Sequence, residues 1–152
     1  MPKKDKMNNS YIVTIKDNHE QDGESFSAEF TCACEYVRDG ENCTVSYAEK
    51  GGELDGSVVS IKVINAGTVE VTRIGEYNTR LTIEKDRRHT CIYNTPLGEL
   101  SIGVYSDEVT TQIRENGAEI RLRYTLDFNS GLISTNTMLI TVKEADGNVT
   151  AC

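Results

Sequence analysis

Three polar residues of this chain fall where a period-two pattern calls for apolar ones. Arg73 follows Val69 and Val71 at two-residue spacing, Glu49 follows Val45 and Tyr47 in the same way, and Asn136 precedes Met138 and Ile140. Side chains two apart on a strand share a face, so regular strands would turn all three toward the apolar interior. Tyr47, Tyr93 and Tyr124 are then the candidate hydrogen-bonding neighbours. A guanidinium taken out of water without a partner costs several kcal/mol, so Arg73 needs a carboxylate, a set of acceptors, water or a ligand. Two kinds of chemistry follow. In one, Arg73 anchors an anionic head group; in the other, it pairs internally with Glu49, or a bulge turns it to solvent. The candidate ligand-binding set is therefore Arg73, Glu49, Tyr47, Tyr93, Tyr124 and Asn136.

Other chemistry is sparse. The chain has no H-E-x-x-H, no G-x-S-x-G and no glycine-rich phosphate loop, since Gly51-Gly52 lacks the Lys and Ser/Thr that such a loop requires. His19 reads as part of a solvated charged loop with Asp17, Asn18, Glu20 and Asp22, and His89 as an exposed residue at a strand start after Arg87-Arg88. The pairs Asp22/Glu24 and Asp107/Glu108 read as solvated loop charges. Five cysteines, with one C-x-C at Cys32 and Cys34 and no second pair, suit buried inert thiols better than a zinc site. An odd number also suits a reducing compartment better than a disulfide framework. Thr95-Pro96-Leu97-Gly98 reads as a turn, because Pro96 removes a donor and Gly98 tolerates positive φ. The expectation is a protein that is not an enzyme and uses no cofactor and no metal.

The elements that must hold these residues are strands. Alternation runs through Tyr11–Ile15, Phe26–Cys34, Cys43–Tyr47, Val59–Val63, Val69–Val71, Leu81–Ile83, Cys91–Tyr93, Leu100–Val104, Val109–Ile113, Ile120–Phe128 and Asn136–Val142. Turn residues interrupt it, including Arg38-Asp39-Gly40 and the hairpin dipeptide Asn116-Gly117, both of whose positions tolerate positive φ. No stretch carries a helical period. Short connections favour hairpin-by-hairpin meandering, and closure into a barrel hides every edge, whereas a sandwich leaves edges to be blunted. The expected fold is all-β, a single antiparallel up-and-down barrel of about 8–10 strands.

At 152 residues and a net charge of -8, the chain suits one domain and is poorly matched to nucleic acid or an anionic membrane, both of which need a cationic surface. No apolar run approaches the roughly 18 residues of a membrane span, and the Lys-rich start has no apolar segment behind it. A flexible tail over 1–9, a barrel over 10–145, a second flexible tail over 146–152 and a cytoplasmic location are expected.

The segment Tyr93-Asn94-Thr95-Pro96-Leu97-Gly98-Glu99-Leu100 resembles the YwiB-like family of small bacterial β-barrel proteins. The family pattern is a Tyr-x-Thr-Pro-Tyr-Gly block, with an Arg-x-Gly segment before it and a terminal hairpin carrying Asn-x-Leu after it. Arg73-Ile74-Gly75 and Asn136-Thr137-Met138 match the outer two features, with Leu97 and Met138 as apolar departures. The likeness runs from about Tyr11 to Lys143 and implies a calycin, lipocalin-like barrel. The family is uncharacterised, so the likeness implies no activity; calycin kinship implies a small-molecule pocket, with interior arginines that anchor lipid head groups in many relatives. Two functions follow as expectations. One is a cytoplasmic binding module whose interior, about 300–1,000 Å³, takes a small amphipathic or anionic molecule. The other is a non-catalytic protein-interaction module with a solid core and an acidic surface, its protein partner unknown.

Overall fold

The computed structural model describes residues 10–52, 54–129 and 131–145; the two expected tails lie outside them. Ten strands follow in order: β1 (Tyr11–Gln21), β2 (Glu24–Asp39), β3 (Asn42–Ala48), β4 (Val58–Ile64), β5 (Thr68–Ile74), β6 (Thr79–Glu84), β7 (Arg88–Thr95), β8 (Gly98–Arg114), β9 (Gly117–Phe128) and β10 (Gly131–Glu144). Each pairs antiparallel with its neighbours in the chain, and β1 pairs with β10, so the meander closes into a barrel. The described regular structure is all strand, and no helix there is long and apolar enough to cross a membrane.

Closure follows from the alternation. The inward residues Val13, Val45, Val63, Val69, Val104, Ile120 and Ile140 are each 0% exposed. Each such side chain contributes about 1.5–3 kcal/mol on burial. With their buried neighbours they form the apolar core of the barrel. One end of the barrel is shut by Tyr36, whose hydroxyl donates to the carbonyls of Arg114 (2.6 Å) and Gly117 (3.0 Å) while its ring packs at 5.2 Å from Tyr11. The β2/β3, β4/β5, β6/β7 and β8/β9 turns lie at this closed end. The other five hairpins lie at the opposite end, where the interior changes character.

Two local readings change. The runs at Leu100–Val104 and Val109–Ile113 are one 17-residue strand, β8, interrupted by a register shift between Ser106 and Glu108. Ser106 holds this bulge: its hydroxyl reaches the carbonyls of Arg123 (2.7 Å) and Glu108 (3.0 Å). The shift lets Val104 and Val109, of opposite parity, both face inward. Asp107 and Glu108 are therefore exposed strand residues rather than loop charges. The Asn116-Gly117 hairpin is also present, but neither residue has positive φ. Gly117 is required by space: a Cβ there would collide with the backbone oxygen of Val142 on β10. The turn expected at Thr95–Gly98 is borne out, with Gly98 at φ 119°.

Cys34, Cys43 and Cys91 are free thiols. Burial pushes Cys34 up to about 12 and Cys43 up to about 11, which leaves both unreactive. Cys32 is disulfide-bonded, against the expectation of thiols alone.

Candidate functional site

At the open end, register assembles two interior rows from distant parts of the chain. In the first, Tyr47 pairs with Val59, Val59 with Arg73, Arg73 with Thr79, Thr79 with Tyr93, and Tyr93 with Leu100. In the second, Tyr124 pairs with Asn136, Asn136 with His19, and His19 with Phe26. Glu49 lies one residue beyond the end of β3, and its backbone is held by Glu49 N–H to the Ser57 carbonyl (2.8 Å) and by Gly56 N–H to its own carbonyl (2.9 Å). All six candidate residues therefore gather at one end of the barrel.

Arg73 and Glu49 meet as a bidentate pair, Nε to Oε1 at 3.0 Å and Nη2 to Oε2 at 3.2 Å. Their side chains are 28% and 20% exposed. Of the sequence readings, the internal pair is the one present; β5 runs without a register shift, so no bulge turns Arg73 outward. The pair sits among tyrosines. Burial pushes Tyr47 up to about 12, with Glu49 adding to the rise and Arg73 opposing it. Burial also raises Tyr93 against the pull of Arg73, and raises Tyr124, which feels Asp17 and Tyr93. Asn136 is buried and donates from Nδ2 to the Ser134 hydroxyl at 3.0 Å.

The space beside these residues comes from unequal strand lengths. β2 pairs with β1 over residues 24–34 but with β3 only over 35–39. Above Glu35 the two strands part, and a cleft of about 570 Å³ opens between them. Its walls include Phe30, Tyr47, Glu49, Lys50 and Leu54, and Phe30 meets Tyr47 across it with ring centroids 5.5 Å apart. Of the six candidates, Tyr47 and Glu49 line this cleft. Arg73 reaches it through Glu49, whereas Tyr93, Tyr124 and Asn136 lie further around the wall.

Asp17 and His19 are not loop residues. β1 continues to Gln21, so both extend the inward series Tyr11, Val13, Ile15. The His19 ring stacks on Phe26 at 5.0 Å. The Asp17 Oδ1 is shut off from solvent and has no hydrogen-bond partner, and burial raises its carboxyl pKa. The parity test that selects Arg73 also selects Asp17; the run of charges from Asp17 to Asp22 hid it. His89 is half-buried rather than exposed, with Nε2 2.9 Å from Glu84 Oε1. Among the described residues no group of three or more His, Cys, Asp or Glu could hold a metal ion.

These features define a closed meander barrel, packed at one end and open and polar at the other. Residues 13–140 match the family model described as Domain of unknown function (DUF1934), and the chain belongs to that family. It is similar to the ywiB protein from Bacillus subtilis, whose crystal structure aligns at a TM-score of 0.79 with 20% sequence identity, covering 91% of this chain and 93% of that one. At that identity the likeness establishes the shared barrel, in agreement with the YwiB-like motifs of the sequence. No curated protein matches the chain.

Proposed function

We propose that this protein is a non-catalytic binding protein that takes a small amphipathic molecule at the open end of its barrel. The cleft between β2 and β3 carries this reading. Its volume of about 570 Å³ suits a small organic ligand. Phe30, Tyr47 and Leu54 offer apolar walls, and the Arg73–Glu49 pair supplies polar groups at one edge. The packed core of the barrel confines a ligand to this end. Glu49 already occupies the Arg73 fork, so Lys50, which lines the cleft, is the cation that would meet an anionic head group. The reading needs no cofactor, and a net charge of -8 sets nucleic acid and anionic membranes aside as partners.

Native mass spectrometry of protein purified gently from its own host tests this. A reproducible small-molecule adduct, lost on Phe30→Glu, is the expected result; a bare protein under several growth conditions overturns it. A second reading, a protein-interaction module, draws on the exposed apolar tips Ile74 (64%), Leu97 (99%) and Leu132 (68%) around the open end. A stoichiometric co-purifying polypeptide in the same spectra would favour it.

A further inference from the structure

We propose that the molecule held in the β2/β3 cleft is a monoanionic amphiphile, a carboxylate on a single apolar chain, and that Lys50 selects its charge. The inference rests on the binding reading above and names the ligand class of that same cleft.

Lys50 is an exposed residue in the wall of the cleft. Among the described residues no hydrogen bond or ion pair engages its ammonium. Its backbone is nonetheless fixed from both sides. Glu49, before it, is tied by its N–H to the Ser57 carbonyl (2.8 Å) and by the Gly56 N–H to its own carbonyl (2.9 Å). Gly51, after it, donates its N–H to Asp55 Oδ1 at 2.6 Å. Gly51 and Gly52 carry the wall onward without side chains, and a Cβ on either would meet nothing within 4 Å. The space beside Lys50 therefore stays open.

The charges around the cleft, taken element by element, leave this ammonium uncompensated. Glu49 is the acid among the described wall residues, and both its oxygens lie on Arg73. Lys50 and Arg73 against Glu49 leave one positive charge, in a chain whose net charge is -8. On β2, Glu29 and Glu35 have the outward parity, and Glu29 stands opposite Lys16 of β1. Asp55 is exposed and turned onto the Gly51 N–H. Asp17 is not part of the wall, and its Oδ1 is sealed from solvent. Tyr47 adds a donor and no charge, because burial pushes it up to about 12 and its hydroxyl makes no hydrogen bond among the described residues.

The apolar part of such a molecule has its place too. Phe30 and Tyr47, with ring centroids 5.5 Å apart, and Leu54 form the apolar surface of the same cleft. A chain laid there loses water-exposed apolar area while its carboxylate gives Lys50 a partner. An alkylammonium would bring its charge toward Lys50 with both Glu49 oxygens already engaged. A neutral head group gains the apolar burial alone.

Isothermal titration with decanoate, decylammonium and a neutral decyl glycoside, each below its micelle concentration at neutral pH, reads this preference. The wild type is expected to bind decanoate about tenfold more tightly than decylammonium and about fivefold more tightly than the glycoside. Lys50→Gln should bring decanoate within about twofold of the glycoside, whose own affinity is unchanged, whereas Lys50→Arg should keep the preference. Lys62→Gln makes the same charge change at an exposed position of β4 and should leave every affinity within about twofold of wild type. Equal wild-type affinity for decanoate and the glycoside, an undiminished preference in Lys50→Gln, or equal loss in Lys62→Gln overturns the proposal while the binding reading survives. Parallel loss of decanoate and glycoside in Lys50→Gln does the same, because Lys50 would then shape the cleft rather than select charge. If none of the three amphiphiles binds, both fall.

Discussion

Replacing Arg73 and Glu49 by alanine, singly and together, measures what the ion pair at the open end contributes. At roughly 4 Å between charge centres and an effective dielectric near 20, the direct attraction is about 4 kcal/mol. Both side chains are partly wet, at 28% and 20% exposed, so water screens the pair and each charge has also lost some hydration on folding. The bidentate geometry, at 3.0 and 3.2 Å, works in the opposite direction by lowering the ordering cost of each contact. The expected coupling is about 1–2 kcal/mol, above that of a surface pair and below that of a dry one. Each single substitution should cost about 2 kcal/mol, because it leaves the partner half-buried and alone. The double variant should cost only about 2–3 kcal/mol, well short of the sum. Urea unfolding at pH 7 reads all four proteins, with unchanged m-values required for comparison. Molar salt should reduce the coupling without abolishing it. Additivity within about 0.3 kcal/mol would refute the reasoning and mean that solvent holds both groups.

Further outcomes follow from single residues. Burial raises the Asp17 carboxyl above its ordinary value of 3.8, so the folded protein holds that proton more tightly than the unfolded chain, and this contribution to stability is lost as pH rises through the folded value. Asp17→Asn should therefore be more stable than wild type by about 1 kcal/mol at pH 7. The advantage should shrink to nothing as pH falls below 3.8 in calorimetric scans; an advantage independent of pH would show that charge is not its cause. Gly117→Ala should cost about 1–3 kcal/mol in chemical unfolding, since its new methyl meets the backbone of β10, which cannot rotate away. A neutral result would mean that the β8/β9 hairpin shifts freely. Ile120→Ala, at a position with 0% exposure in the packed core, should cost about 2–5 kcal/mol and lower the thermal midpoint without altering ligand affinity.

Much of the fold is written in the period-two alternation. Which face of each strand is apolar is a local property, and the parity of Arg73 with Val69 and Val71, or of Asn136 with Ile140, needs nothing beyond adjacent residues. The meander also has a local basis, because short turns bring each strand beside the next, whereas the β1–β10 pairing that closes it joins the two ends of the chain's strand order. Where the reading failed, a second signal overrode parity. A run of charges made Asp17 and His19 look like loop, and the parity reversal at the Ser106 bulge made one strand look like two. In each case a hydrogen-bonded ladder continues through residues whose side chains argue for a break, because backbone pairing is indifferent to side-chain charge.

The sequence by itself thus determined the strands, their inward faces and the polar residues that interrupt those faces. Tertiary structure decided which of those residues meet. Glu49 and Arg73 become a pair because register sets Tyr47, Val59 and Arg73 in one row across three strands. The cleft exists because β2 outruns its pairing with β3, a mismatch between strands that neither strand encodes alone. Asp17 becomes an unpartnered carboxylate only when β2 and β10 close over it with Ala28 and Met138. Burial and partnership are properties of pairs of strands, and they come into being when the barrel closes.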